Sequence, residues 1–247
     1  MTANAGIVTV DCGNSTIDCL AHGSGARRRI QRGAGVPAEL RDFLRRAAPS
    51  RLLVASVVPA SLEQVREVAA GIGVAIAVAG VDLPCPLRLD YETPATLGVD
   101  RWLGCVAAHR LFGAAVVVDC GTATTVNAVD ADATFRGGPI GPGLPAIVAG
   151  MAQTTPALPA PRLDVGAVDS APRSTQAAVD AGVLLGYCGL VERLVAGVLA
   201  AMPAATQVVL TGGNAERVAR HAALRAERVP DLVHRGLARL AELAWSD

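Results

Sequence analysis

The sequence predicts a duplicated α/β protein, two similar halves that each build a mixed sheet with helices on its faces. Three observations carry this reading. Residues 8–16 read VTVDCGNST and residues 116–124 read VVVDCGTAT, so Val8, Val10, Asp11, Cys12, Gly13 and Thr16 recur as Val116, Val118, Asp119, Cys120, Gly121 and Thr124. In each copy a β-branched run ends in Asp-Cys-Gly and continues as a second strand, the pattern of a hairpin. Between and after the copies, apolar strands alternate with helix-length periodic segments, as in sheets covered by helices.

The elements follow in order. The first half, 1–112, starts with the strand of VTVD and a return strand at 16–22. A helix over 37–47, a strand at 51–55, a helix over 61–70 and a strand at 74–78 come next. It closes with a helix over 99–112 packed by Trp102, Leu103, Val106 and Leu111. The second half, 113–247, repeats the hairpin with a return strand at 122–130. It adds helices over 143–153 and 174–201, a strand at 207–210 and two closing helices. The 174–201 helix is apolar around much of its circumference, interrupted by Glu192 and Arg193, so it is buried on several sides. That burial is either core alone or core plus a dimer interface.

Composition excludes several function classes. Apolar residues make up 51% of the chain and aromatics 3%, which gives a core of Ala, Val and Leu and no ring platform for single-stranded nucleic acid. The formal net charge is zero, so no global field favours nucleic acid or anionic lipid. The local run Arg27, Arg28, Arg29 and Arg32 reads as a solvated hairpin edge, with a contact site as the alternative. All 22 basic residues are arginine. Without lysine the chain is no P-loop nucleotidase, no protein kinase and no pyridoxal enzyme, each of which needs one. Six scattered cysteines have no CxxC or metal spacing and read as reduced thiols of a cytoplasmic protein. The start, MTANAGIVTVD, reaches a strand and an Asp too early for a signal peptide. Residues 137–161 carry no charge but contain six prolines, which rules out one membrane-spanning helix there.

Five segments are candidates for chemistry. The two Asp-Cys-Gly turns suggest a nucleotide held in a cleft between the halves. Glycine N–H groups would cradle phosphate, with Asn14, Ser15, Thr122 and Thr124 as further donors. Carboxylates repel phosphate, so Asp11 and Asp119 would hold bridging cations instead. A single such turn is ordinary turn chemistry; two at equivalent places favour function. TGGNA at 211–215, after a strand, fits either a base or ribose lying on the backbone or the plain start of a helix at Asn214. In YETPATLGVDRW, Asp100 and Arg101 open a helix after Gly98, either as a surface capping pair or as a site. GGPIGPGL at 137–144 supplies rigid donors at a helix start or serves as a stiff connector.

Taken together these segments resemble type III pantothenate kinase, of the ribonuclease H-like/actin-like ATPase superfamily. The motifs are DCGNST at 11–16, LGVDRW ending at Trp102, DCGTATT at 119–125, GGPIGPGL at 137–144 and LTGGNA at 210–215, with VPDLVHRGL at 229–237 similar to the family's ending. The resemblance implies ATP contacts along Asp11, Cys12, Gly13, Asn14, Ser15, Thr16, Ile17 and Asp18, at Thr122, and at Gly212 and Gly213. Asp11 would help to hold Mg²⁺, and Asp119 the monovalent cation, K⁺ or NH₄⁺. Tyr91, Gly98, Val99, Asp100, Arg101 and Thr175 would line the pantothenate site, with Asp100 as proton acceptor. The implied reaction is ATP-dependent phosphorylation of pantothenate to 4′-phosphopantothenate, the first step of coenzyme A biosynthesis, by a cytoplasmic homodimer that binds neither nucleic acid nor membrane. The alternatives are another small-molecule kinase of the superfamily and a non-catalytic accessory transcription regulator.

Overall fold

The Val-x-Val-Asp-Cys pattern at the start of the chain becomes a central strand. In the computed structural model, which describes residues 6–245, β1 (Ile7–Cys12) pairs antiparallel with β2 (Thr16–Ala21) and parallel with β4 (Arg51–Ser56). The sheet is completed by β3 (Arg27–Gln31) beside β2 and β5 (Ala75–Val78) beside β4. Alternation sorts the side chains of β1 and β2 onto two faces. Val8, Val10, Cys12, Ile17 and Cys19 enter one core with Leu40 and Phe43 of α1 (Val36–Ala47) and Val65 and Val68 of α2 (Pro59–Gly71). Thr9, Asp11 and Asp18 take the opposite face, where Asp11 and Asp18 are cross-strand partners. After the short strand β6 (Arg88–Leu89), α3 (Val99–Phe112) is buried around most of its circumference.

The second repeat folds the same way. β7 (Ala115–Cys120) pairs antiparallel with β8 (Ala123–Val129), which pairs with β9 (Thr134–Gly137) and β10 (Ile140–Pro142). After α4 (Leu144–Thr154) and α5 (Thr175–Leu199), β11 (Gln207–Thr211) joins β7 in parallel. α6 (Ala215–His221) and β12 (Glu227–Arg228) follow. Among the described residues α5 is the one helix long and apolar enough to cross a membrane. Its face of Val179, Val183, Leu184, Tyr187, Val191 and Val195 packs into the core of this sheet, as a core helix does.

The closing helix α7 (Leu232–Ala244) departs from the two-half expectation. Residues 6–111 form one compact unit with residues 231–245, and Phe112–Pro230 form the other. Instead of ending a second half that runs through 247, the chain returns α7 to the first sheet. Buried His234 lies 2.8 Å from the Thr9 hydroxyl. Gly236 lets α7 approach α3 closely, since a Cβ there would run into the Leu103 carbonyl. The main strands and helices expected from the sequence otherwise lie within two residues of their predicted bounds.

Candidate active site

In the first unit the site begins at the turn joining β1 to β2. The Gly13 N–H closes it on the Thr16 carbonyl at 3.0 Å, leaving Asn14 and Ser15 exposed. Cys12 and Ile17 are fully buried, so neither offers a side chain to a ligand. Burial, with Asp11 nearby, pushes the Cys12 thiol up to about 12. Burial does the same for Cys120. Thiols held protonated in this way are poor nucleophiles. All six cysteines are free.

Asp18 occupies a different environment from the exposed turn. Its carboxylate takes Nε and Nη2 of Arg27, at 2.9 and 2.6 Å, and the Arg29 guanidinium. Burial raises its pKa, but the two arginines outweigh burial and hold it below the ordinary value. The arginine run is therefore largely ion-paired: Arg27 also contacts Asp231, and Arg28 contacts Glu39.

The second feature of this unit is the start of α3. Asp100 lies in its first turn, half-buried, with Oδ1 accepting the Arg101 N–H at 2.8 Å. A Cβ on Gly98 would sit 2.6 Å from that same oxygen, so the glycine makes room for the carboxylate. Burial raises the Asp100 pKa; the Arg101 N–H and guanidinium oppose the shift without cancelling it. Buried Arg101 donates through Nη1 to the Tyr91 hydroxyl at 3.2 Å and lies over its ring, 5.6 Å from the centroid. Val99 is also buried.

Val57, which the sequence reading passed over, joins the two features. Its N–H donates to the Cys12 carbonyl at 3.2 Å, and its Cγ1 lies 3.7 Å from where a Gly98 Cβ would stand. Unit one thus places the Asp11–Thr16 turn and the Gly98–Asp100 segment next to one residue. The signal was present in SVVP at 56–59, where a strand stops before a proline at a helix start.

In the second unit two glycine loops close on the second Asp-Cys-Gly turn. Gly143 donates its N–H to the Thr122 carbonyl at 3.1 Å, and a Cβ there would overlap the Gly121 and Thr122 carbonyls. Gly212, at φ +86°, packs so tightly that a Cβ would collide with Asp119 Oδ1 and approach Cys120 N to 2.7 Å. Asn214 donates through its backbone N–H and Nδ2 to the Cys120 carbonyl, at 3.0 and 3.3 Å. Beneath the turn the Thr124 hydroxyl meets the buried Tyr187 hydroxyl at 2.8 Å; Tyr187, too, went unread in the sequence. Gly213 is exposed, with open space where a side chain would go. Thr175 is exposed at the first turn of α5, capped by Ser174, and among the described residues no hydrogen bond ties its side chain to these loops.

The sequence pattern of type III pantothenate kinase matches residues 7–197. The chain belongs to that family. A type III pantothenate kinase of Azoarcus sp. (strain BH72) is 41% identical over 162 residues, 65% of this chain; in that match the chain spans 60% of the relative's length. Among solved structures, a Campylobacter jejuni protein described as a Baf-family transcriptional activator superposes with a TM-score of 0.67 at 20% identity, over 97% of this chain and all of that one. A Sinorhizobium meliloti protein described as a 2-dehydro-3-deoxygalactonokinase gives 0.58 at 20% identity, over 97% and 99%. These likenesses show the fold, that of actin-like ATPases and sugar kinases, with the mixed α/β sheets expected from the strand–helix alternation.

Proposed function

We propose that this chain transfers the γ-phosphoryl group of ATP to the primary hydroxyl of pantothenate, giving ADP and 4′-phosphopantothenate, the first step toward coenzyme A. Family membership supports the reaction. The observation that carries the mechanism is Val57, which brings the glycine turn after Asp11 and the Asp100 carboxylate into one neighbourhood.

In this reading the exposed Asn14–Ser15 tip of the first turn takes phosphate oxygens, since the Gly13 N–H is spent on the Thr16 carbonyl. So do Thr122 and the glycine loops around it, while Gly212 and Gly213 receive the nucleoside. Asp100 accepts the hydroxyl proton as the substrate oxygen bonds to the γ-phosphorus and the bond to ADP breaks. A raised pKa suits that task, because a carboxylate held above its ordinary value is a better base. Arg101, aligned by Tyr91, offers its guanidinium fork to the substrate's carboxylate or carbonyl. Thr175 would contact the acceptor bound by the same chain or by its partner.

Among the described residues no three His, Cys, Asp or Glu side chains cluster as metal ligands. Single carboxylates suit magnesium all the same, since it keeps water and phosphate oxygens and takes one or two protein ligands. Asp11 would hold that ion and Asp119 a monovalent cation. Bound there, the cations would offset the charge of the triphosphate.

The test is ADP release over a panel of hydroxy acids and sugars, with K⁺ present or replaced by Na⁺. Pantothenate should support turnover that falls sharply in Na⁺ and in Asp119→Ala. Turnover on another acceptor but not on pantothenate would overturn the proposal, and undiminished rates in Na⁺ would remove the monovalent cation from it.

The same proposal includes a cytoplasmic homodimer. On α5 the exposed side carries Ala178, Gly182, Gly186 and Gly189, and the three glycines face open space. A bare helix surface of this kind lets a second helix approach closely. Sedimentation at assay concentration should give twice the 25.1 kDa chain mass. A fully active monomer would refute the dimer.

A further inference from the structure

Four arginines crowd the first hairpin, and their partners differ. Arg27, Arg28 and Arg29 each meet a carboxylate, from Asp18, Asp231 or Glu39. Arg32, one residue beyond β3, does not. Its backbone N–H donates to the Ser15 carbonyl at 3.1 Å, and its Nη1 donates to the Asn14 carbonyl at 2.7 Å. Among the described residues no acid lies within ion-pairing distance of it, and the side chain is exposed.

Both of those bonds end on the turn that follows Asp11. A neutral carbonyl leaves the guanidinium charge uncompensated, and one N–H of five is used. A nucleotide phosphate needs a cation, and this chain contains no lysine to provide one. A planar guanidinium matches phosphate oxygens in paired hydrogen bonds.

We propose that Arg32 is the phosphate-binding cation of the first turn, one Nη holding Asn14 while the remaining donors take an oxygen of the bound nucleotide. The proposal rests on the nucleotide reading above and adds to it a residue that the Asp11–Asp18 motif does not contain.

Calorimetric titration with ATP and with adenosine separates this role from a structural clamp. Arg32→Gln can still donate to the Asn14 carbonyl but has no charge. It should bind ATP about tenfold or more weakly, in line with the loss of a charged hydrogen bond, and bind adenosine as the parent does. Arg32→Lys should recover part of the loss. The parent's ATP affinity should also fall more steeply with salt than the Gln variant's. Parent-like ATP affinity in Arg32→Gln would reduce Arg32 to a clamp and overturn the inference. So would an equal loss of ATP and adenosine, the mark of a collapsed turn. A parent protein that binds no ATP would remove the nucleotide reading and this inference together, and that result is visible before any variant is made.

Discussion

Asp100→Asn is expected to lower kcat on pantothenate by about 10²–10⁴, the usual contribution of a positioned acid–base group, while the pantothenate dissociation constant changes far less. The amide keeps the carboxylate's shape, and its Oδ1 can still accept the Arg101 N–H that Asp100 accepts at 2.8 Å. Room for it remains, because Gly98 still lacks a Cβ. Arg101 and Tyr91 keep each other in place. What disappears is the negative charge that can receive a proton. A kcat near the parent value would end the base assignment. An equal loss of binding and kcat would instead make Asp100 a residue that holds substrate.

The pH dependence gives the same variant a second signature. Burial raises the Asp100 pKa above the ordinary carboxylate value. The base works only when ionised, so kcat should climb with pH through that raised pKa, and Asp100→Asn should flatten this limb. For stability, a carboxyl whose pKa is higher folded than unfolded binds more protons in the native state between the two values. Unfolding free energy therefore falls as pH rises through that window and levels off above it. Removing the charge removes this loss, so above the window Asp100→Asn should be at least as stable as the parent. A variant that is slower but no less stable is what a functional carboxylate predicts. A pure capping residue would leave kcat unchanged, since Asn caps about as well as Asp.

Local signals made much of this fold legible. The repeated V-x-V-D-C-G placed both hairpins because alternation and the following glycine are properties of six residues in a row. The Gly-Gly after QVVL placed β11 and the start of α6 for the same reason. The short strands β9 and β10 were not read, because Gly137, Gly138, Pro139, Pro142 and Gly143 look like a connector. Their pairing is decided by β8, whose partner residues lie elsewhere in the chain, from Phe135 against Val129 to Pro142 against Ala123. The destination of α7 was equally invisible. Its amphipathic pattern declares a helix, but nothing local says that His234 will meet Thr9, 225 positions away.

The site divides along the same line. Asp100, Arg101 and Tyr91 lie within twelve residues, and the sequence brought them together before the structure did. Val57 was missed because its role is a backbone N–H given to Cys12; the strand stop before Pro59 marks the place but not the partner. Asp18 looked like part of a phosphate motif by adjacency. Its β-strand position turns it away from the exposed Asn14–Ser15 tip and into Arg27 and Arg29.

Gly212→Ala is expected to lower unfolding free energy by about 2–4 kcal/mol, whereas Gly213→Ala should stay within about 1 kcal/mol of the parent. Two costs add at Gly212. Its φ of +86° is left-handed backbone, where a Cβ costs about 1–2 kcal/mol. That Cβ would also land on Asp119 Oδ1 and stand 2.7 and 2.8 Å from Cys120 N and C. The obstacle is mostly backbone of a central strand, which cannot swing aside like a flexible side chain, so β7 or β11 must shift. At Gly213 neither cost applies: φ is not left-handed, and nothing lies within 4 Å of the added carbon. For a chain of this size each kcal/mol moves Tm by about 2–4 °C, so thermal unfolding of the two variants side by side resolves the difference. In the proposed nucleotide site the order reverses for a stable protein: Gly213→Ala should weaken ATP binding without unfolding anything, because its methyl would occupy space offered to the nucleoside. Equal Tm values for the two variants would refute the close approach at Gly212. Undiminished ATP affinity in Gly213→Ala would take that glycine out of the site.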